Sequence, residues 1–180
     1  MEYLFLVCAA SKGSEQQCTF FDTFFGQKLK QGRSFEELLR LTNHSTLTRN
    51  QKIFIPILLG EVHWTLFVAD TPTKEVQFFD SGVNFGYSKG IEVEAWRLIV
   101  FMRQWARHVG MPDLESAWTW SRKDSCQQQN GDDCGCYVLG TARCLAENRE
   151  LTSLMQPQNM NYFRRAIMLE LSEGCLTPLF

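Results

Sequence analysis

Two strand-like runs separated by a single turn constrain this chain more than any other feature. Residues 62–69 and 76–79 are rich in Val, Leu, Phe and Trp, and Asp70-Thr71-Pro72-Thr73-Lys74 between them supplies turn chemistry. The pattern predicts a β-hairpin. Ile53, Phe54, Ile55, Ile57 and Leu58 form a further short β-branched run, and Pro56 within it predicts a strand that lies at a sheet edge or ends there. Trp118 and Trp120 alternate within residues 116–121, which predicts another strand. Elsewhere the period is helical. Phe20, Phe21, Phe24 and Phe25 fall at helical spacing, and Ser34 with Glu37 forms a capping box for a helix over 35–41. Leu98, Phe101, Met102, Trp105 and Val109 mark a helix that ends at Gly110, with Pro112 beyond. Tyr137, Val138, Thr141 and Leu145 mark a helix that begins near Cys134, and a last helix is expected over 159–171. Helices and strands mix without repeating βαβ units, so the fold class expected is α+β. No repeat, low-complexity tract or linker divides the chain, which is read as a single domain over 1–180.

Composition narrows the function classes. The 180 residues suffice to bury a hydrophobic core without staples. Eighteen basic and 20 acidic side chains leave a net charge of −2, which argues against a general nucleic-acid binder that neutralises phosphates. No apolar run approaches the roughly 20 residues of a bilayer span, so no membrane partner is expected. The first ten residues are apolar but short and carry Glu2 where a signal peptide carries a basic residue. They are read as a buried strand or helix, followed by a loop over 11–17. Asn43-His44-Ser45 matches the glycosylation sequon, a triplet frequent by chance.

Seven cysteines at irregular spacing make a poor disulfide framework, and no Cys-x-x-Cys pair exists. With the histidines scattered at 44, 63 and 108, no structural metal site is expected, and a reducing compartment, nucleus or cytoplasm, fits the free thiols.

Three local features carry chemistry. His63 lies inside the first run of the hairpin, beside Trp64. Asp80 ends the second run and is followed by Ser81 and Gly82. Gln127-Gln128-Gln129-Asn130-Gly131-Asp132-Asp133 is a polar loop that delivers Cys134 to a helix start. Singly, each has a structural reading: a histidine packed in a strand, an Asp-Ser-Gly turn, a buried thiol. Together they are what a cysteine nucleophile needs. An imidazole takes the thiol proton, and a carboxylate on its other nitrogen fixes tautomer and orientation. The helix N-terminus favours the thiolate. Asp132 and Asp133 oppose it, and Asp133 is expected to compensate by capping the helix with its side chain. Backbone N–H groups at the helix start, with a glutamine amide, would hold the substrate oxyanion.

The order His63, Asp80, Gln128, Cys134 resembles the ubiquitin-like-protein-specific cysteine proteases, the SUMO (sentrin) protease family of the adenain-like clan. Val62-His63-Trp64 is similar to its histidine motif and Phe79-Asp80-Ser81 to its aspartate motif. The run from Gln127 to Gly135 is similar to its nucleophile motif almost letter for letter. The resemblance implies Cys134 as nucleophile, His63 as general base and acid, Asp80 as its orienter and Gln128 as oxyanion donor. It implies substrate-binding positions at Trp64, which would flank a narrow tunnel for a Gly-Gly tail, and at Gly135. It implies a papain-like α+β fold with the nucleophile's helix packed on a mixed sheet, and no metal or cofactor. The activity implied is processing and deconjugation of a ubiquitin-like modifier, SUMO first, by a monomer. Family members usually carry a Trp-Leu-Asn-Asp-like motif upstream of the segment resembling residues 20–29; none is found here, so the domain is read as short at its N-terminus.

Three other readings stand beside this one: a deubiquitinase or deneddylase acting on ubiquitin or NEDD8, a clan-related acyltransferase, and a protease-like module that binds a modifier without turnover. Trp96, Trp105, Trp118 and Trp120 are expected in the core or in groove walls. His44 and His108 are read as surface or packing residues, and Arg164 and Arg165 as a solvated helix face.

Overall fold

Five strands form one mixed sheet whose spatial order follows the chain: β1 (Gln17–Phe20), β2 (Gln51–Leu59), β3 (His63–Asp70), β4 (Glu75–Phe79) and β5 (Thr119–Arg122). The computed structural model describes residues 2–11, 17–42, 46–151 and 155–177. The outer pairs are parallel, and the two inner pairs, β2 with β3 and β3 with β4, are antiparallel. The expected hairpin is therefore β3–β4, closed by residues 71–74 with Lys74 at positive φ. Six helices are described: α1 (Glu2–Ala10), α2 (Thr23–Lys30), α3 (Phe35–Leu39), α4 (Glu92–His108), α5 (Cys134–Ala146) and α6 (Met160–Glu173).

Strand periodicity sorts the helices onto two faces. Ile53, Ile55, Phe67 and Phe78 project into a core shared with Phe25 and Leu29 of α2, Leu38 of α3 and Phe101 and Trp105 of α4. Phe54, Leu66, Val68 and Phe79 alternate to the other face, against Leu4 of α1, Tyr137 and Val138 of α5 and Phe163 of α6. Covering both faces explains why β2 is apolar almost throughout. The crossovers α2–α3 and α4 lie on one face, and α1, α5 and α6 on the other.

Several expectations are met and others corrected. The first residues are helical, with Tyr3, Leu4, Val7 and Cys8 buried. Ser34 and Glu37 exchange side-chain and backbone hydrogen bonds at 3.3 Å as a capping box, although α3 stops at Leu39. The four phenylalanines do not share one helix. Phe20 ends β1, Phe21 N–H donates to the Phe54 carbonyl, and Asp22 caps α2 by accepting from the Phe25 N–H at 3.0 Å. The Asn43-His44-Ser45 triplet and most of the loop over 11–17 lie outside the described residues. All seven cysteines are free thiols. Among the described residues, no helix is long and apolar enough to cross a membrane.

Pro56 is the larger correction, because β2 is not an edge strand. β1 is short and pairs only with Gln51 to Phe54, so the flank of β2 beyond Phe54 faces α2 instead of a strand. The backbone groups of alternate residues turn to that flank. The Phe54 carbonyl accepts from Phe21 N–H, and the Leu58 carbonyl accepts from the Lys30 ammonium at 2.7 Å. Pro56, between them, turns to the same flank and removes no ladder bond to β3. The close approach of α2 depends on Gly26: a Cβ there would stand 2.6 Å from the Pro56 carbonyl oxygen. Gly26→Ala should thus cost roughly 1–3 kcal/mol despite alanine's better helix propensity. A melting temperature equal to that of the natural chain would count against this packing.

Candidate active site

The end of the β3–β4 hairpin builds the first half of the site. His63 opens β3, Asp80 follows β4, and both are buried. His63 Nε2 lies 2.7 Å from Asp80 Oδ1, which also accepts from the Gly82 N–H at 2.8 Å. Burial pushes the Asp80 carboxyl up, but hydrogen bonding from His63, the Gly82 N–H and the Ser88 hydroxyl outweighs it and holds the group below the usual carboxylate range. Asp80 Oδ2 makes no hydrogen bond of full geometry, so the Ser88 contact is a weaker one. Gly82 is more than a turn residue here. A Cβ on it would sit 2.7 Å from His63 Cε1 and 2.6 Å from Phe85, so only glycine lets the backbone close over the ring.

The second half comes from the loop that enters α5. Cys134 is the first residue of α5 and is 6% exposed. A Cβ on the next residue, Gly135, would stand 4.0 Å from Trp64 Cδ1. The residues that follow His63 and Cys134 are thus neighbours, which brings the two motifs together at the head of α5. Trp64 and Gly135 line one groove of about 480 Å³, with Asp132, Arg164, Leu4 and Met168 among its other walls.

Gln128 is buried, and its amide is oriented by both neighbours. The Ser81 hydroxyl donates to Gln128 Oε1 at 2.8 Å, and Gln128 Nε2 donates to the Asn130 carbonyl at 2.5 Å. The Gln128 N–H also donates to the Ser81 carbonyl at 2.8 Å. Gln127 Nε2 donates to the Asp80 carbonyl at 2.9 Å, and Gln127 Oε1 accepts from the Val83 N–H at 3.2 Å. These bonds stitch the loop that leads into α5 to the segment that carries Asp80. Asn130 then turns the loop: its Oδ1 accepts from the N–H groups of Asp132 and Asp133, at 3.0 and 3.1 Å.

Asp133 does not cap α5 with its side chain. Its backbone is helical, φ −91° and ψ −4°, instead of the extended conformation that aims an N-cap carboxylate at the free N–H groups. The carboxylate accepts from Arg164 Nε at 2.8 Å and from Asn130 Nδ2 at 2.8 Å, and Arg164 also reaches the Asp132 carbonyl. Arg164 is therefore part of the loop's framework while its side chain stays 41% exposed, and Arg165 is exposed. Nothing near Arg164 in sequence signals this, because the pairing spans 31 positions. Ser81 and Asn130, by contrast, stand inside the quoted motifs.

The remaining aromatics divide. Trp105 and Trp118 are core and Trp120 is half-buried, while Trp96 is 53% exposed on α4 and walls a second groove away from the site. His108 packs edge-on against Phe35. Among the described residues no cluster of His, Cys, Asp and Glu has the makings of a metal site.

The family described as the Ulp1 protease family, C-terminal catalytic domain, matches residues 2–179. Sentrin-specific protease 5 of Homo sapiens is 31% identical over 156 residues, covering 86% of this chain and 19% of that protein. Sentrin-specific protease 3 of Homo sapiens is 29% identical over 161 residues, covering 88% of this chain and 26% of that protein. This chain thus spans about a fifth to a quarter of the length of these relatives. Among solved structures, the Chaetomium thermophilum Ulp1-like SUMO protease catalytic domain superposes with a TM-score of 0.76 at 21% identity, covering 98% of this chain and 71% of that one. The C-terminal Ulp1 protease domain in complex with Smt3, the yeast orthologue of SUMO, does so with a TM-score of 0.73 at 21% identity, covering 94% and 74%. The fold is that of these protease domains, α+β with a mixed sheet.

Proposed function

The chain belongs to the Ulp1 protease family, and on that premise we propose that it is a cysteine peptidase that cleaves after the C-terminal Gly-Gly of a ubiquitin-like modifier, SUMO first. The observation that carries the reading is the buried His63–Asp80 pair at 2.7 Å, set against the helix start that presents Cys134. With Nε2 held by Asp80, the other imidazole nitrogen serves the thiol. His63 takes the Cys134 proton, and the thiolate adds to the carbonyl carbon of the terminal glycine. The oxyanion is met by the Gln128 amide and by backbone N–H groups at the head of α5. His63 then protonates the departing amine, leaving a thioester on Cys134. Water, deprotonated by His63, hydrolyses that thioester and frees the glycine carboxylate and the thiol.

The groove beside Trp64 and Gly135 is read as the path of the modifier tail, since glycines have no side chains to clash there. SUMO leads because the relatives are sentrin-specific proteases and one structural neighbour holds Smt3. The protein works as a monomer in nucleus or cytoplasm. Purified chain incubated with SUMO, NEDD8 and ubiquitin C-terminal probes tests the proposal: labelling at Cys134 is expected, strongest with SUMO. A folded chain that reacts with none would end it, and preference for ubiquitin or NEDD8 would reassign the substrate.

The role of Ser81 gives a graded prediction. Gln128→Ala should lower kcat by about 10²–10³, the usual loss for one oxyanion donor. Ser81→Ala leaves the amide in place but unties Oε1, so kcat should fall roughly tenfold with KM little changed. Equal losses in the two variants would contradict an orienting role for Ser81.

A further inference from the structure

The loop over 82–90 that joins β4 to α4 folds back on His63. The Tyr87 ring stacks on the imidazole, with centroids 5.6 Å apart and planes 26° from parallel. Phe85 meets the same imidazole edge-on, at 6.1 Å and 88°. Gly82 closes the Cε1 edge at a distance that admits no side chain. Gly60, at φ +55°, leaves room for Tyr87 from the other side; a Cβ there would stand 3.1 Å from Tyr87 Cδ1. The imidazole is therefore held through Nε2 by Asp80, along one edge by backbone, and across one face by an aromatic ring.

Burial alone does not fix that ring, since Tyr87 is 45% exposed. What pins it is the next residue. Ser88 is buried, its Oγ accepts from Arg122 Nη1 at 3.1 Å, and its carbonyl accepts from Arg122 Nη2 at 2.7 Å. Arg122, the last residue of β5, is seated over the Phe78 ring at 5.3 Å. The loop is thus clasped to the sheet one residue beyond the stacked tyrosine.

We propose that Tyr87 is a positioning residue for His63, a role that rests on the reading of His63 as the base for Cys134. An imidazole tethered at one nitrogen can still swing about that bond, and the stacked face removes this freedom. The electron-rich phenol face also favours the imidazolium that forms when the thiol yields its proton. The clasp from Arg122 through Ser88 supplies the rigidity that the half-exposed ring lacks.

The test compares Tyr87→Leu, which keeps apolar bulk without a ring, with Tyr87→Phe, which keeps the ring. Two readouts are taken at neutral pH: kcat and KM on the modifier probe that the natural chain cleaves, and the rate of Cys134 alkylation by iodoacetamide, read by peptide mass without any modifier. Tyr87→Leu should lower kcat and the alkylation rate roughly three- to tenfold with KM within about twofold, the range expected for one aromatic pair. Tyr87→Phe should retain both. Should Tyr87→Leu melt well below the natural chain, Arg122→Met takes its place: it removes both bonds to Ser88 but leaves the ring and the Ser88 hydroxyl, and should move both readouts in the same direction. Natural rates in the leucine variant, a loss confined to KM, or an equal loss in the phenylalanine variant would each overturn the positioning role. A natural chain that cleaves no probe, and whose Cys134 alkylates no faster than in His63→Ala, would overturn the base reading and this role with it.

Discussion

Alanine at Cys134 should reduce cleavage of the preferred modifier probe to background, a fall of at least about 10⁴-fold, while modifier binding stays within a few-fold of the natural chain. The magnitude follows from the chemistry: the acyl group must be carried on Sγ, and without that atom only positioning and oxyanion binding remain. Binding should persist because Cys134 contributes little to the groove, which is walled by Trp64, Gly135 and apolar side chains of α1, α5 and α6. The fold should persist too, since Cys134 is the first residue of α5 and its removal opens no large cavity. Turnover is followed by release of the cleaved tail, and binding by calorimetry with the mature modifier. Residual turnover above about one per cent would mean that another group carries the acyl transfer. If the natural chain itself binds without cleaving, the reading as a non-catalytic binding module takes over.

The second large effect lies in the helical layer behind the site. Arg143, in the last turn of α5, is 1% exposed, and Glu170 of α6 is fully buried. Arg143 Nη1 donates to both Glu170 carboxylate oxygens, at 2.7 and 2.8 Å, and to the Tyr3 hydroxyl of α1 at 2.9 Å. Its Nε donates to Glu147 at 2.8 Å, and Nη2 reaches the Thr177 carbonyl. Glu170 also accepts from the Thr177 N–H and hydroxyl, each at 2.8 Å, so the network ties α1, α5 and α6 to the C-terminal segment. Glu170→Ala would leave the buried guanidinium with only the part-exposed Glu147 as a charged partner and should cost about 3–5 kcal/mol, lowering the melting temperature by on the order of 10 °C.

Replacing both partners, Arg143→Met with Glu170→Leu, should recover much of that loss because no buried charge is left alone. A single variant that melts within about 3 °C of the natural chain would refute the assignment. The pH dependence has a definite sign. Burial pushes the Glu170 carboxyl up, but hydrogen bonding from Arg143, Thr177 and Tyr3 outweighs it and lowers the group overall. Its contribution to stability is therefore complete above the ordinary glutamate value of about 4.3 and is lost as pH falls through the lowered folded value.

Local patterns in the sequence give the hairpin, the capping box at Ser34 and the helix at Cys134, because each depends on residues a few positions apart. Where long-range partners decide, the sequence is silent. Pro56 reads as an edge signal, and only the shortness of β1 makes an interior strand tolerate it. Asp133 reads as a cap, but Arg164, 31 positions away, claims its carboxylate. The motif residues at 63, 80, 128 and 134 are all legible, whereas Tyr87 is not: nothing in a glycine-containing loop shows that one of its rings returns to lie on the histidine. Trp96 is a converse case, placed by composition in a core or groove wall and found on an exposed groove wall because its neighbours Val93 and Val100 share the same outward face of α4.

The chain-order sheet also says something about how the protein assembles. β2, β3 and β4 follow one another through short turns, and the His63–Asp80 pair closes over only 17 positions. The bonds that bring in the loop leading to Cys134, such as Ser81 to Gln128, close over 47. Loop closure costs entropy that grows with length, and contacts near in sequence form sooner than distant ones. Imidazole and carboxylate therefore meet early, while the thiol joins only when α4, β5 and the head of α5 have docked. A growing or partly unfolded chain holds Cys134 away from the His63–Asp80 pair until the tertiary structure is complete.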